Sequence, residues 1–244
     1  MDGLEGKTAI ITGGGRGVGR ATALALARGG ARVAIAARTV SEIQAVAREI
    51  TTAGGVALAM RADLTVEQDV KRLVREAESA LGPTDVLINN AGILELAPIV
   101  GTSTAMWEET LSINLRAVFL ACREVLPGMI ERRSGRIINV GSLAGRRGYV
   151  EQGAYCASKH GLIGLSKVLA IETQQYGIRV HVLAPGGVLT GLSKELRESR
   201  PGVDESAWMT PEEVAHAVLF LCSQTGPAVT DELVLRRYES EPWR

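Results

Sequence analysis

The stretch that most restricts what this chain can become lies near its start. Lys7 to Thr12 is a short apolar run, Gly13-Gly14-Gly15-Arg16-Gly17-Val18-Gly19 follows it, and an Ala/Leu-rich segment continues to about Arg28. A short apolar run bounded by glycine reads as a buried strand, and the segment after the turn reads as a helix. Strand, glycine turn and helix in that order make the first half of a βαβ unit. Glycines let backbone approach a pyrophosphate closely, and a helix amino terminus offers free N–H groups and a positive dipole end. The spacing here is Thr12-Gly13-x-x-x-Gly17-x-Gly19 rather than the commoner Gly-x-Gly-x-x-Gly. Alone, it also suits a merely tight connection.

The remainder alternates in the same way. Strands are expected at Arg32–Ala37, Val56–Arg61, Asp85–Asn89, Arg136 onward to Ser142, Ile178–Leu183 and near Glu232–Leu235. Helices are expected from Thr39 to Ala53, to about Leu81, from Trp107 to about Glu131, through Tyr155 to about Tyr176, and from Pro211 to about Ser223. Alternation of this kind predicts an α/β fold with a parallel sheet. Composition agrees: 46% of residues are hydrophobic but only 4% aromatic, so small aliphatic side chains must fill helix–sheet layers. No repeat or linker interrupts the chain, which predicts one domain over residues 1–244. The polar segment 191–210, broken by Pro201-Gly202, reads as a lid.

Charge excludes some partners. The 27 basic and 27 acidic residues cancel, giving no electrostatic footprint for nucleic acid or membrane. Cys122, Cys156 and Cys222 are far apart and form no Cys-x-x-Cys pair, so reduced core thiols and no metal site are expected. The amino terminus has no basic-then-apolar signal pattern and no apolar run nears the roughly 20 residues of a membrane span. A soluble, cytoplasmic protein is the expectation.

The second strand ends where dinucleotide-binding proteins distinguish their cofactors. NAD calls for a carboxylate to bind the ribose 2′-hydroxyl, whereas a 2′-phosphate calls for positive charge. No acidic residue occurs from Arg20 through Ser41, while Arg38 follows Ala37 and Arg16 lies inside the glycine turn. Two guanidinium groups on one phosphate predict NADP(H) over NAD(H). Asp63, just beyond the third strand, is placed to meet the adenine amino group, to cap the next helix, or to do both. Asn89-Asn90-Ala91-Gly92 closes the fourth strand with small residues and amides, where a flat ligand passes near the backbone.

Chemistry concentrates around Tyr155 and Lys159. Their i, i+4 spacing sets both on one helix face, and Ser142 ends a strand at the edge where open α/β sheets bind ligands. An ammonium group beside a phenol stabilises its anion, so the expectation is a Tyr155 pKa lowered by Lys159. Asn114, a lone amide among Ile113, Leu115 and Val118, either bonds to backbone or helps hold a proton path near Lys159.

Together, Thr12-Gly13-x-x-x-Gly17-x-Gly19, Asp63, Asn89-Asn90-Ala91-Gly92, Asn114, Ser142, Tyr155-x-x-x-Lys159 and Pro185-Gly186 resemble the short-chain dehydrogenase/reductase family over nearly the whole chain. The resemblance implies a three-layer Rossmann-type, doubly wound parallel sheet of about seven strands. It implies that Tyr155 protonates a carbonyl oxygen, Ser142 orients it, Lys159 binds the nicotinamide ribose and Asn114 holds a water leading to solvent. It implies cofactor contacts from Thr12, Gly13, Gly15, Arg16, Gly17, Val18 and Gly19, from Arg38, Asp63 and Leu64, from Asn90, Ala91 and Gly92, and from Pro185, Gly186, Val188 and Thr190. Within the family the chain is most similar to 3-oxoacyl-carrier-protein reductases and related carbonyl reductases. The implied activity is NADPH-dependent reduction of a ketone or 3-oxoacyl group. An NAD-dependent secondary alcohol dehydrogenase and a non-catalytic NADP-binding regulatory protein are the alternatives. A homotetramer or homodimer is implied. Acyl carrier protein is a possible partner, through Arg132 and Arg133, although Ile171 stands where carrier-protein enzymes tend to present arginine. Substrate choice is expected to rest on the 191–210 segment and on the loop 145–153, where Arg146 and Arg147 could meet a carboxylate or phosphate.

Overall fold

The computed structural model describes residues 3–198 and 204–241. Its seven strands are β1 (Thr8–Thr12), β2 (Arg32–Ala37), β3 (Val56–Arg61), β4 (Thr84–Asn89), β5 (Gly135–Val140), β6 (Ile178–Pro185) and β7 (Glu232–Leu235). They form one sheet in the order β3-β2-β1-β4-β5-β6-β7, and every neighbouring pair is parallel. The helices are α1 (Gly17–Arg28), α2 (Val40–Thr52), α3 (Glu67–Leu81), α4 (Thr104–Leu111), α5 (Ala117–Arg132), α6 (Gly153–Thr173), α7 (Lys194–Glu198) and α8 (Pro211–Ser223). This is the expected three-layer Rossmann-type doubly wound fold. Among the described residues, no helix is long and apolar enough to cross a membrane.

The two cores follow from strand periodicity. Successive strand side chains point to opposite faces, so Ile11, Ile88 and Ile138 pack with Leu26, Val46 and Val218, while Ile10, Leu87 and Ile137 pack with Leu73, Leu120 and Leu162. Both faces are covered, which is why the strands read as continuous apolar runs rather than alternating ones. A sheet that winds outward from β1 in both directions opens a crevice between β1 and β4 at their carboxyl ends. The glycine turn and Asn89–Gly92 leave the sheet at that crevice.

Two elements differ from expectation. The helix before β5 begins at Thr104, three residues ahead of Trp107, because the Ser103 hydroxyl accepts from Met106 N–H and supplies its cap. Between α4 and α5 the chain widens into a π-turn at Ser112–Arg116, a local expansion that often marks functional sites. Asn114 sits inside it. In the 191–210 segment, a short turn at Gly191–Ser193, α7 and a second turn at Glu205–Ala207 are ordered, while Pro201-Gly202 falls outside the described residues. Val188 then pairs with Met209, returning the segment to the end of β6.

Candidate active site

The glycine turn is held by tight contacts. Gly13 and Gly17 have φ of +64° and +53°, a region that side chains bearing Cβ avoid. A Cβ on Gly13 would lie 2.8 Å from Ala91 Cα, and one on Gly19 would lie 2.2 Å from Gly13 O. Thr12 Oγ1 accepts from Asn90 N–H (3.0 Å) and Ala91 N–H (3.2 Å), while Asn90 Nδ2 donates to Thr12 O and Gly13 O, both at 3.1 Å. The two loops of the crevice are therefore stitched together. Arg16 occupies the N-cap of α1 in extended conformation, without a side-chain cap and with no acidic residue in the first turn. The first N–H groups of the helix are left for an anion.

Around the end of β2, Arg38 is exposed and acts on Asp63. The Thr65 hydroxyl and N–H, then the Arg38 charge, hold the Asp63 carboxyl below the usual carboxylate range. Asp63 does not cap α3, whose N-cap is Val66. Its Oδ1 instead closes a turn onto Thr65 N–H (3.0 Å) and Oγ1 (2.7 Å). Glu42, the first acidic residue after the acid-free stretch, lies 3.9 Å from Arg16 Nη1.

The amide of Asn114 is a clip. Its Oδ1 accepts from Ile93 N–H at 2.8 Å, and its Nδ2 donates to Ile93 O at 2.9 Å and Ser158 Oγ at 3.1 Å. Ser158 in turn donates to Tyr155 O at 2.7 Å, joining the π-turn to α6. A Cβ on Gly92 would stand 3.2 Å from Asn114 Oδ1 and 3.9 Å from Lys159 Nζ, so amide and ammonium border the same small space. The structural reading of Asn114 is the one observed: backbone takes its bonds.

Ser142 lies two residues past the end of β5, with its Oγ accepting from Ala144 N–H at 3.1 Å. Tyr155 and Lys159 sit in the first turns of α6 and are buried. Burial pushes the Tyr155 phenol up to about 12, against a hydrogen bond with Ser142 that lowers it. Burial brings the Lys159 ammonium down to about 8. The expected lowering of the phenol by Lys159 is not found: Nζ donates to Val140 O at 2.8 Å and lies 5.7 Å from the Tyr155 ring centre. A buried ammonium takes the nearest carbonyl, and desolvation is the largest influence on the phenol.

One cavity of about 380 Å³ joins these parts. Its wall contains Gly13, Gly15, Arg16, Gly17, Val18, Arg38, Asp63, Leu64, Asn90, Ala91, Gly92, Ser142, Tyr155, Lys159, Pro185, Gly186, Val188 and Thr190. Thr12, Gly19 and Asn114 stand behind that wall and hold it in place. An uncapped helix start, a glycine cradle, arginines at one end and a buried Tyr–Lys pair with a half-buried Ser142 at the other fit a nicotinamide dinucleotide. The wall also holds residues that spacing did not indicate: Glu42, Tyr149, Trp208, Arg237 and Ser240. Glu42 follows immediately on the acid-free stretch Arg20–Ser41, and the others depend on how distant loops return.

Comparison with known proteins agrees with this geometry. The short chain dehydrogenase family pattern matches residues 7–201. The chain is 39% identical over 231 residues to the 3-oxoacyl-[acyl-carrier-protein] reductase of Rattus norvegicus, covering 94% of this chain and 95% of that protein. It is 37% identical over 237 residues to the 3-oxoacyl-[acyl-carrier-protein] reductase FabG of Aquifex aeolicus, covering 95% and 96%. A metagenomic short-chain oxidoreductase solved in complex with NADP superposes with a TM-score of 0.83 at 35% identity, over 96% of this chain and 97% of that one. Fold, cavity and relatives define an NAD(P)-dependent oxidoreductase acting on CH–OH or C=O groups. The chain belongs to the short-chain dehydrogenase/reductase family.

Proposed function

We propose that the protein uses NADPH to reduce a ketone or 3-oxoacyl group to a secondary alcohol. The observation that carries the reading is the buried Tyr155 with Ser142 and Lys159 in the same cavity as the glycine turn. The bound dihydronicotinamide supplies the hydride. Ser142 Oγ–H orients the carbonyl oxygen, and Tyr155 Oη–H gives its proton to that oxygen. A phenol held protonated up to about 12 is in the acid form that reduction needs at neutral pH. As the proton leaves, the Lys159 charge stabilises the phenolate. Asn114 keeps the Ile93 backbone in place and borders a route by which the proton is replaced.

NADPH preference is supported by Arg16 and Arg38 in the wall and by the NADP in the related oxidoreductase. Glu42 favours a second reading, NAD-linked alcohol oxidation, because a carboxylate there could accept from a ribose hydroxyl. Exposed Phe119, Val168 and Ile171 on α5 and α6 support a homotetramer built through those helices. Arg132 and Arg133 donate to Thr84 O and Gln175 O, which leaves less of them for an acyl carrier protein. The lid role belongs to the segment from Gly191 to Thr210.

The test is a titration of NADPH and NADH into the wild type and Arg38→Ala, followed by turnover of a carbonyl panel with Tyr155→Phe. Tighter NADPH binding that Arg38→Ala abolishes, together with a loss of roughly 100-fold or more in kcat for Tyr155→Phe, supports the reading. Full turnover by Tyr155→Phe sinks the mechanism, and tighter NADH binding sinks the cofactor assignment.

A further inference from the structure

The two ends of the cavity differ in charge: one is balanced and the other carries only cations. The two carboxylates in the wall, Glu42 and Asp63, accompany Arg16 and Arg38. Toward Ser142 and Tyr155 the charged residues of the wall are Lys159, whose ammonium donates to Val140 O, Arg147, from the loop after β5, and Arg237, from the tail after β7. These segments are far apart in sequence and meet because Gly186 N–H donates to Leu235 O at 2.8 Å, which brings the tail alongside the end of β6.

Each arginine has a sequence neighbour that serves as an internal comparison. Arg146 is exposed and lies 3.7 Å from Glu232; Arg147 is half-buried, donates from Nε to Tyr149 Oη at 2.8 Å and stacks 4.9 Å over that ring. Arg236 is exposed and binds the carbonyls of Arg237, Tyr238 and Ser240, winding the tail into a turn. Arg237 is half-buried and lies 5.0 Å from the Trp208 ring centre. Among the described residues neither Arg147 nor Arg237 has an ion-pair partner, whereas Arg197, on the same indole, is paired with Glu205 at 2.7 Å. Half-burying two like charges without a counter-ion is unfavourable. Contact with an aromatic ring offsets part of that cost for each guanidinium.

Building on the reductase reading, we infer that the substrate carries an oxyanion, which Arg147 and Arg237 bind while Ser142 and Tyr155 address its carbonyl. Carboxylate and phosphate share this chemistry. The tail residues 236–240 therefore belong to the substrate site, with Arg236 a positioning residue that shapes the turn presenting Arg237.

The experiment compares matched charged and neutral ketones: acetoacetate against methyl acetoacetate, and acetoacetyl-coenzyme A against the neutral N-acetylcysteamine thioester. Wild type, Arg147→Gln, Arg237→Gln and the control Arg146→Gln are assayed with NADPH, alongside neutral cyclic and aryl ketones. Calorimetry of butanoate and of inorganic phosphate with the NADP+-bound protein gives a readout independent of turnover. The expected result is a charged-over-neutral preference in kcat/KM within at least one pair, lost by roughly 10- to 100-fold in each pocket variant through KM and kept in Arg146→Gln. A preference in the first pair with butanoate binding assigns the carboxylate; one in the second pair with phosphate binding assigns the phosphate. Equal or better turnover of the neutral partners, or a preference unchanged in both pocket variants, overturns the inference while the reductase reading stands. If NADPH binds but no carbonyl is reduced, both fall.

Discussion

Lys159 Nζ donates to Val140 O at 2.8 Å, so the ammonium is bound to the end of β5 before any ligand is present. That single bond accompanies a fully buried charge, and burial brings its pKa from 10.5 to about 8. A buried cation with one neutral partner costs stability.

Lys159→Met should therefore stabilise the fold near neutral pH. Between about pH 8 and 10.5 the unfolded chain holds this proton and the folded chain does not, so wild-type stability gains from this group as pH rises through that window. Below about 8 the penalty is complete. Removing it, less the lost Val140 bond, should add on the order of 1–3 kcal/mol at pH 7. Urea unfolding at pH 7 and pH 10.5 measures the difference. An advantage for the variant that does not shrink with pH would mean that Lys159 does not titrate there. Tyr155, Cys122 and Cys222 are present in both proteins and cancel.

Asn114→Ala should cost stability as well as activity. It removes three hydrogen bonds in a buried place and leaves Ile93 N–H, Ile93 O and Ser158 without that partner. A loss of about 2–4 kcal/mol is expected, read as a lower urea midpoint at unchanged m-value. If the variant is as stable as wild type and only slow, Asn114 acts through the proton route alone.

Why some of this was legible in sequence and some was not comes down to range. The glycine turn, the Tyr155–Lys159 pair and the strand that delivers Ser142 are local patterns, and the structure places all of them where spacing implied. Thr12 was legible as a site residue, yet its role is to accept from Asn90 and Ala91, a contact across 78 residues that spacing cannot reveal. Lys159 was expected to act on the phenol, but its partner is a backbone carbonyl, which carries no side-chain signature. The π-turn around Asn114 has the apolar content of ordinary helix. Arg237 and Trp208 reach the cavity only through the pairing of β6 with β7 and of Val188 with Met209. Both pairings are long-range.

Gly19→Ala tests the stitching of the crevice. The added Cβ would sit 2.2 Å from Gly13 O and 2.5 Å from Asn90 Nδ2, so the turn must shift and the Asn90 bonds must break. NADPH affinity should fall by roughly 10-fold or more, with a stability loss of about 1–3 kcal/mol. Fluorescence titration and thermal unfolding read the two effects. A variant with unchanged affinity would show that the turn accommodates a methyl group without moving the phosphate site.

Glu42 decides how the two arginines at the adenosine end are used. Its carboxylate lies 3.9 Å from Arg16 Nη1, across an exposed guanidinium, close enough to neutralise part of the charge offered to a 2′-phosphate. Under the NADPH reading, Glu42 repels that phosphate and competes for Arg16. Glu42→Gln should then tighten NADPH binding by roughly 3- to 10-fold and leave NADH nearly unchanged, with the gain shrinking as salt is raised. Under the NAD reading the same carboxylate accepts from the ribose hydroxyls, and Glu42→Gln weakens NADH instead. Titrating both cofactors into wild type and Glu42→Gln at low and high salt separates the two, because only one of the affinities changes in each case and the changes have opposite sign.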